Sequence, residues 1–286
     1  MGTKRGSKKS LSAGRPPTTR KPTTISRKAT KAVINTHHQL EKEKQKAIKS
    51  GDSAAVEKLG REIEALGGIG KYQQASLQGQ RDDRGGDSSR VLMEWLEPVV
   101  SDLKSRPLRM LEVGALSTNN ACSKSGCFEI ERIDLNSQGE GIRQQDFMKR
   151  QRPKTEEERF DIISLSLVLN YVPDYRQRGS MLLQTLDFLR EPGPVPGSPL
   201  DSSFPSLFLV LPEACVSNSR YLDEKRLEAI MKALGYEKVQ SKATRRLVYY
   251  LWKRVRGMPD FIPDYMKKEI RKGASRNNFA IVLQTL

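Results

Sequence analysis

From Met110 onward, apolar runs of strand length alternate with segments of helical spacing, and this alternation commits the chain to a doubly wound α/β sheet. Residues 110–113 form a short apolar strand that ends at Gly114. Residues 128–135 form a second, alternating Phe128, Ile130 and Ile133 and bounded by Gly126. Residues 161–169 are apolar enough for a central strand buried on both faces. A helix over 181–189 closes at Glu191-Pro192-Gly193, and a loop rich in Pro, Gly and Ser fills 192–205. Strand 207–211 and helix 222–234 follow, the helix stopped by Gly235. Two late strand candidates, 247–252 and 279–283, flank a basic linker and are expected to pair antiparallel at one sheet edge.

The segment before this alternation divides in two. Residues 1–30 are rich in Lys, Arg, Ser, Thr and Pro, and the first acidic residue is Glu41. Such a stretch buries too little apolar surface to fold, so a disordered basic tail is expected. Its Lys4-Arg5 and Lys8-Lys9 clusters suit a nuclear or nucleolar address or a loose RNA arm. Residues 31–70 read as a helical extension, mostly polar up to Ser50 and broken at Gly51-Asp52-Ser53, which supplies an N-cap. Val56, Leu59, Ile63 and Leu66 then recur at helical spacing, and Gly67-Gly68 stops the run. A hairpin packed on the main domain accounts for this pattern, and a partner-binding or RNA-guiding role is the alternative. The polar loop 72–89 leads into the main domain, 71–286, and is placed to fold over a ligand. Ser88 or Ser89 is expected to cap a helix whose apolar face is Val91, Leu92, Trp95, Leu96 and Val99.

Charge sets the class of partner. The 286 residues carry 50 Lys and Arg against 34 Asp and Glu, a net charge of +16. That excess favours a polyanion, RNA above all, because each phosphate contact releases condensed counterions. No apolar run reaches the length of a membrane span, and the basic N-terminus lacks the apolar core of a secretory signal. An intracellular protein without a membrane partner is therefore expected. Cys122, Cys127 and Cys215 form no CxxC pair, and His37 and His38 lie in a different region. Neither a metal site nor a disulfide framework is expected from that spacing.

Four short segments carry the chemistry. The turn Leu111-Glu112-Val113-Gly114 places an acidic residue and a glycine at the end of the first strand. Gly114 either serves a plain strand-to-helix turn or lets a cofactor approach the backbone. Glu112 can organise that turn or meet the charged amino group of a cofactor. Asp134 ends the next strand, 20 residues beyond Gly114, where a carboxylate can accept hydrogen bonds from two ribose hydroxyls or cap the following loop. Asp146 and Phe147 are similar in placement to the residues with which methyltransferases hold the adenine amino group and ring, or else form a polar loop beside a buried aromatic. The strand at 161–169 runs into Asn170-Tyr171-Val172-Pro173. There Asn170 and Tyr171 are the catalytic candidates: both can orient a base edge, and Tyr171 can stack on it or fill the core.

The cofactor follows from a missing feature. Leu116 and Thr118 replace the further glycines of a phosphate cradle, which a dinucleotide needs for its pyrophosphate. The turn 110–117 and the segment 160–173 resemble motifs I and IV of class I methyltransferases, whose S-adenosylmethionine has no phosphate, so it is the expected cofactor. The fold expectation is accordingly a class I Rossmann-like methyltransferase with a mostly parallel twisted sheet, an antiparallel edge pair and the N-terminal helical extension.

The strings Tyr72–Gln80, Glu112–Ser117, Ile133–Gln138 and Phe160–Pro173 resemble the fungal 25S ribosomal RNA adenine-N(1)-methyltransferase family from about Lys71 to the C-terminus. The resemblance implies a nucleolar enzyme that methylates N1 of one adenine in large-subunit rRNA, or in a pre-ribosomal particle. Gly114 and Asp134 would be its main cofactor contacts. A metazoan protein similar to this group senses the cofactor through protein partners, which supplies the alternative of a non-catalytic sensor. A positive surface at the mouth of the site would favour the RNA enzyme, and a neutral or apolar face the sensor.

Overall fold

The computed structural model describes residues 27–68, 70, 87–137, 139–193, 203–259 and 261–284. Most of the basic tail, the string 72–80, most of the polar loop 72–89 and the loop at 194–202 lie outside the described residues.

Two helices open the fold, α1 (Arg27–Ser50) and α2 (Ser53–Ala65), and they pack on each other. Asp52 supplies the expected cap, its carboxylate accepting from the Ala55 amide at 3.0 Å. Two left-handed glycines, Gly67 and Gly68, follow α2. Helix α3 (Ser89–Leu96) buries Leu92 and Leu96 completely. A 3-10 turn containing Pro98 separates it from α4 (Val100–Ser105). Neither Ser88 nor Ser89 caps α3. Asp87 does so, accepting from the Ser89 amide and hydroxyl at 2.9 and 2.7 Å.

A seven-stranded sheet forms the centre. Its strands are β1 (Leu108–Val113), β2 (Phe128–Asp134), β3 (Arg143–Gln144), β4 (Ile162–Ser166), β5 (Ser206–Pro212), β6 (Tyr236–Ala243) and β7 (Leu247–Arg254), in the order β3-β2-β1-β4-β5-β7-β6. The first five strands run parallel, and β7 lies antiparallel between β5 and β6. Helices α5 (Ala121–Ser125), α6 (Tyr175–Phe188), α7 (Ala214–Ser217) and α8 (Glu224–Ala233) fill the connections. Leu111, Val113, Ile163 and Leu165 point to the α6 and α8 face, whereas Met110, Ile162, Phe208 and Val210 point to the α3 face. Each fully buried Leu, Ile or Phe contributes roughly 1.5–3 kcal/mol, so two apolar layers hold the sheet. This is the class I methyltransferase topology. The chain turns outward from β1 to β2 and returns to β4, so the strand order reverses at the β1–β4 boundary, where α/β sheets bind ligands.

Three boundaries differ from expectation. The antiparallel edge pair is β6 with β7, not 247–252 with 279–283. Strand β6 was hidden because an edge strand tolerates the polar residues Glu237, Gln240, Ser241 and Lys242, and it bulges between Lys238 and Gln240. Residues 279–283 are buried outside the sheet against α6, where the Val282 amide donates to the Tyr175 carbonyl at 3.0 Å. Gly179 of α6 permits that approach, since a Cβ there would stand 1.8 Å from the Val282 carbonyl oxygen. Finally, β4 ends at Ser166 rather than 169, because Leu167 adopts the left-handed region at φ 57° and turns the chain off the sheet.

Candidate active site

The turn after β1 is fixed from both sides. Gly114 has φ 73°, which L side chains rarely adopt, and a Cβ there would stand 2.6 Å from Val168 Cγ2. The amides of Gly114 and Ala115 both donate to the Ile133 carbonyl, at 2.8 and 3.1 Å. The first βα turn is thereby tied to the end of β2.

Glu112 belongs to the scaffold of that turn. Its Oε1 accepts from Asn120 Nδ2 at 2.7 Å, and Asn120 caps α5 by accepting from the Ser123 amide at 2.9 Å. Arg132 of β2 approaches Glu112 only to 3.6 Å, and among the described residues neither Glu112 Oε2 nor Arg132 Nε has a hydrogen-bond partner. Burial pushes the Glu112 carboxyl up to about 7, with Asp87 adding to the rise and Asn120 and Arg132 opposing it. Asp87 also accepts from the Ala121 amide, so one carboxylate joins α3 to α5. Asp87 and Asn120 were not singled out in the sequence, where a lone Asp before a helix and a lone Asn after a turn look like ordinary caps.

At the end of β2, Asp134 Oδ1 accepts from the Asn136 amide at 2.8 Å, which holds the carboxylate over the loop. Its carbonyl accepts from the Gln145 amide at 2.9 Å, bringing the segment with Asp146 alongside. Asp146 caps a short 3-10 turn by accepting from the Met148 amide at 2.9 Å. Phe147 is corrected. It is only 3% exposed and packs against Phe188 at 5.4 Å between ring centroids, so its ring belongs to the core and not to a nucleoside face. The apolar side chain left in water beside Asp134 is Leu135, 62% exposed. Sequence reading passed over it because an exposed leucine carries no signal until its neighbours are known.

Beyond β4 the chain opens into a cleft. A cavity of about 690 Å³ is lined by Asn170, Tyr171, Tyr175, Asn277 and Phe279. Glu41 and Lys46 of α1 reach the same cavity, so the helical extension is part of its wall. Lys267 stands at the cavity with its ammonium over the rings of Tyr175 and Tyr221, at 5.1 and 4.3 Å from their centroids. Arg178 is spent on structure, donating to the carbonyls of Val172 and Ala280 at 2.8 and 2.9 Å and lying over Phe279. Cations Lys46, Lys267 and Arg178 thus face carboxylates Glu41 and Asp174 around the cavity. Cys215, also in the wall, is held in its neutral thiol form by burial.

The sheet therefore gathers Glu112, Gly114, Asp134 and the Asn170-Tyr171 loop at one end, and carries Phe147 away into the core. Carboxylates and a side-chain-free turn, with no cradle of backbone amides for phosphate, suit a cationic, phosphate-free nucleoside such as S-adenosylmethionine. Among the described residues no cluster of His, Cys, Asp or Glu could hold a metal ion, and no helix is long and apolar enough to cross a membrane.

Comparison with known proteins adds the family. The model of 25S rRNA (adenine(2142)-N(1))-methyltransferase, Bmt2, matches residues 57–281. A 25S rRNA adenine-N(1) methyltransferase of Schizosaccharomyces pombe is 40% identical over 257 residues, covering 87% of this chain and 89% of its own. The 25S rRNA (adenine(2142)-N(1))-methyltransferase of Saccharomyces cerevisiae is 35% identical over 253 residues, covering 86% of this chain and 70% of its own.

Proposed function

We propose a function from the premise that this chain belongs to the 25S rRNA (adenine(2142)-N(1))-methyltransferase family: it methylates N1 of an adenine in large-subunit rRNA, using S-adenosylmethionine. The observation that carries the reading is the juxtaposition of the Gly114 turn and Asp134 with an open cleft at the end of β4.

S-adenosylmethionine, when bound, supplies a methyl group already activated by the sulfonium charge. The chain has correspondingly little acid–base work to do. Gly114 admits the cofactor to the backbone, Asp134 accepts from the ribose hydroxyls, and Leu135 offers the adenine ring an apolar surface. Glu112 organises the turn through Asn120 and keeps negative charge near the cofactor's amino group. Asp146 accepts from the adenine amino group. Asn170 and Tyr171 orient the target base so that its N1 lone pair lies in line with the methyl carbon. Transfer would place the methyl group on N1 without any proton to remove, so no residue of the chain need act as a base there. The product base is cationic, and the ring of Tyr171 can stabilise that charge through its face.

RNA recognition rests on charge. Lys46 and Lys267 lie at the cleft, and Arg256, Lys268 and Lys272 of the stretch 253–276 are exposed, cations suited to phosphate and poorly suited to an apolar docking face. The basic tail at 1–30 is read as a nucleolar address. The decisive experiment incubates the protein with labelled S-adenosylmethionine and large-subunit rRNA from cells lacking it, then maps the label by primer-extension arrest. Arrest at a single adenine is expected. Cofactor binding without arrest would leave a sensor.

A further inference from the structure

The reaction constrains how the target adenine can be held. N1 must keep its lone pair unoccupied, so the protein has to identify the base through its other edge, where adenine presents the N6 amino donor and the N7 acceptor. Guanine presents two acceptors there, O6 and N7. An amide side chain matches the adenine pattern with one acceptor and one donor, and leaves N1 untouched.

Such an amide stands in the cleft wall. Asn170 lines the cavity of about 690 Å³, a volume ample for a purine. Its Oδ1 is buried and has no hydrogen-bond partner among the described residues. A buried acceptor without a partner is costly to leave, and nothing in the fold explains the expense. Asn170 follows directly from the left-handed turn at Leu167, which carries the loop away from β4 and toward the cavity. Phe279 and Tyr175 also line the cavity and supply aromatic walls that can take a splayed-out base.

We propose that Asn170 reads the Hoogsteen edge of the target adenine, its Oδ1 accepting from the N6 amino group and its Nδ2 donating to N7. This rests on the adenine-N1 reading above and adds how the base is selected. A partial turn of the amide about its last torsion, which is broad for asparagine, would present Oδ1 and Nδ2 together to the cavity. The same amide meets guanine with Oδ1 against O6, two acceptors in contact, which rejects that base.

The test uses the full-length protein and two RNA fragments that differ at one atom. One carries adenosine at the modified position, the other 7-deazaadenosine, which lacks the N7 acceptor but keeps N1 and the amino group. Replacing N7 by a C–H makes N1 more basic, so slower transfer cannot be laid to a weaker nucleophile. For the unaltered protein kcat/KM should fall about tenfold on the 7-deaza fragment, as expected for one lost arm of a bidentate contact. In Asn170→Ala and Asn170→Asp that penalty should shrink to within about twofold, with S-adenosylmethionine affinity unchanged. An unaltered protein indifferent to the deaza substitution overturns the proposal, as does a variant that keeps the full penalty. Both outcomes leave methylation of the adenosine fragment in place, whereas absence of any transfer to that fragment would strike the adenine-N1 reading itself. If neither variant folds, the comparison of fragments on the unaltered protein still decides.

Discussion

The turn after β1 and the loop after β4 sit side by side but are built differently, although among the described residues each keeps a buried oxygen without a partner, Glu112 Oε2 and Asn170 Oδ1. In the first, the Gly114 and Ala115 amides share one carbonyl, and Glu112 Oε1 and Asn120 are joined to each other and to α5. In the second, Leu167 takes a conformation its side chain disfavours, Asn170 keeps an unused acceptor, and a cavity opens. A site that binds the same small cofactor in every turnover gains from a rigid, pre-formed frame. A site that must admit one base from a large RNA needs groups left uncommitted until the base arrives. If Asn170 reads the base as proposed, the specificity for RNA resides in the half of the site that is unfinished without it.

That contrast can be broken in a definite order. The largest effect is expected from Gly179→Ala. Alanine normally stabilises a helix interior by about 1 kcal/mol over glycine, but here its Cβ would meet the Val282 carbonyl. The segment 279–283 should lift from α6, lowering Tm by several degrees and methyl transfer by about a hundredfold through misplacement of the Phe279 wall. Calorimetric titration should find cofactor affinity within about threefold of the parent, since the β1 turn is on other elements. A stabilised variant would mean the segment is not seated as described.

Asp134→Ala addresses the other half. Loss of hydrogen bonds to a carboxylate should weaken S-adenosylmethionine binding roughly 10- to 100-fold, measured by the same titration. Unchanged affinity would move the ribose contact elsewhere.

How much of this was legible beforehand depended on which surroundings a residue needed in order to show its role. β5 was readable because a strand buried on both faces is apolar throughout, as Leu207–Leu211 is, and β2 because Phe128, Ile130 and Ile133 alternate along it. Gly114 and Asp134 were readable because spacing along the chain fixes their places at neighbouring strand ends. β6 was not, since an exposed edge leaves no apolar alternation to detect. The two-residue β3 is too short for any periodicity. Residues 279–283 misled because burial against a helix and burial in a sheet demand the same apolar composition. Phe147 misled likewise: its position beside Asp146 suited a base platform, and only the packing with Phe188 reveals the core. Nothing local marks Leu135 or the partnerless oxygen of Asn170, because both are properties of the assembled surface.

Glu112→Gln gives a smaller, pH-dependent effect. The carboxyl ionises at about 4.5 when unfolded and about 7 in the fold. The folded state therefore holds a proton that the unfolded state has lost across that window. Stability contributed by the neutral form is complete below 4.5 and gone above 7, a difference of up to about 3 kcal/mol. Glutamine keeps the acceptor for Asn120 without the charge, so at pH 8 the variant should unfold at a higher temperature than the parent and at pH 4 at nearly the same one. Its cofactor affinity should nonetheless drop. Higher affinity at pH 8 would reduce Glu112 to a purely structural residue.

Leu135→Ala should be the mildest. An exposed side chain costs within about 0.5 kcal/mol of stability when trimmed. Loss of an apolar platform should weaken cofactor binding only about three- to tenfold. No change in affinity would detach Leu135 from the nucleoside.

The meeting of Gly114 with Val168 has a last consequence. The space denied to one loop is occupied by a branched side chain of the other: a methyl added at Gly114 would stand 2.6 Å from Val168 Cγ2. The two positions share one fixed volume, and their sizes are tied as a sum. Wherever a relative carries a side chain at the first position, the second should shrink to alanine or glycine, and the pair should drift through evolution as a unit. The rigid half and the open half of the site, so unlike in their bonding, share this one volume.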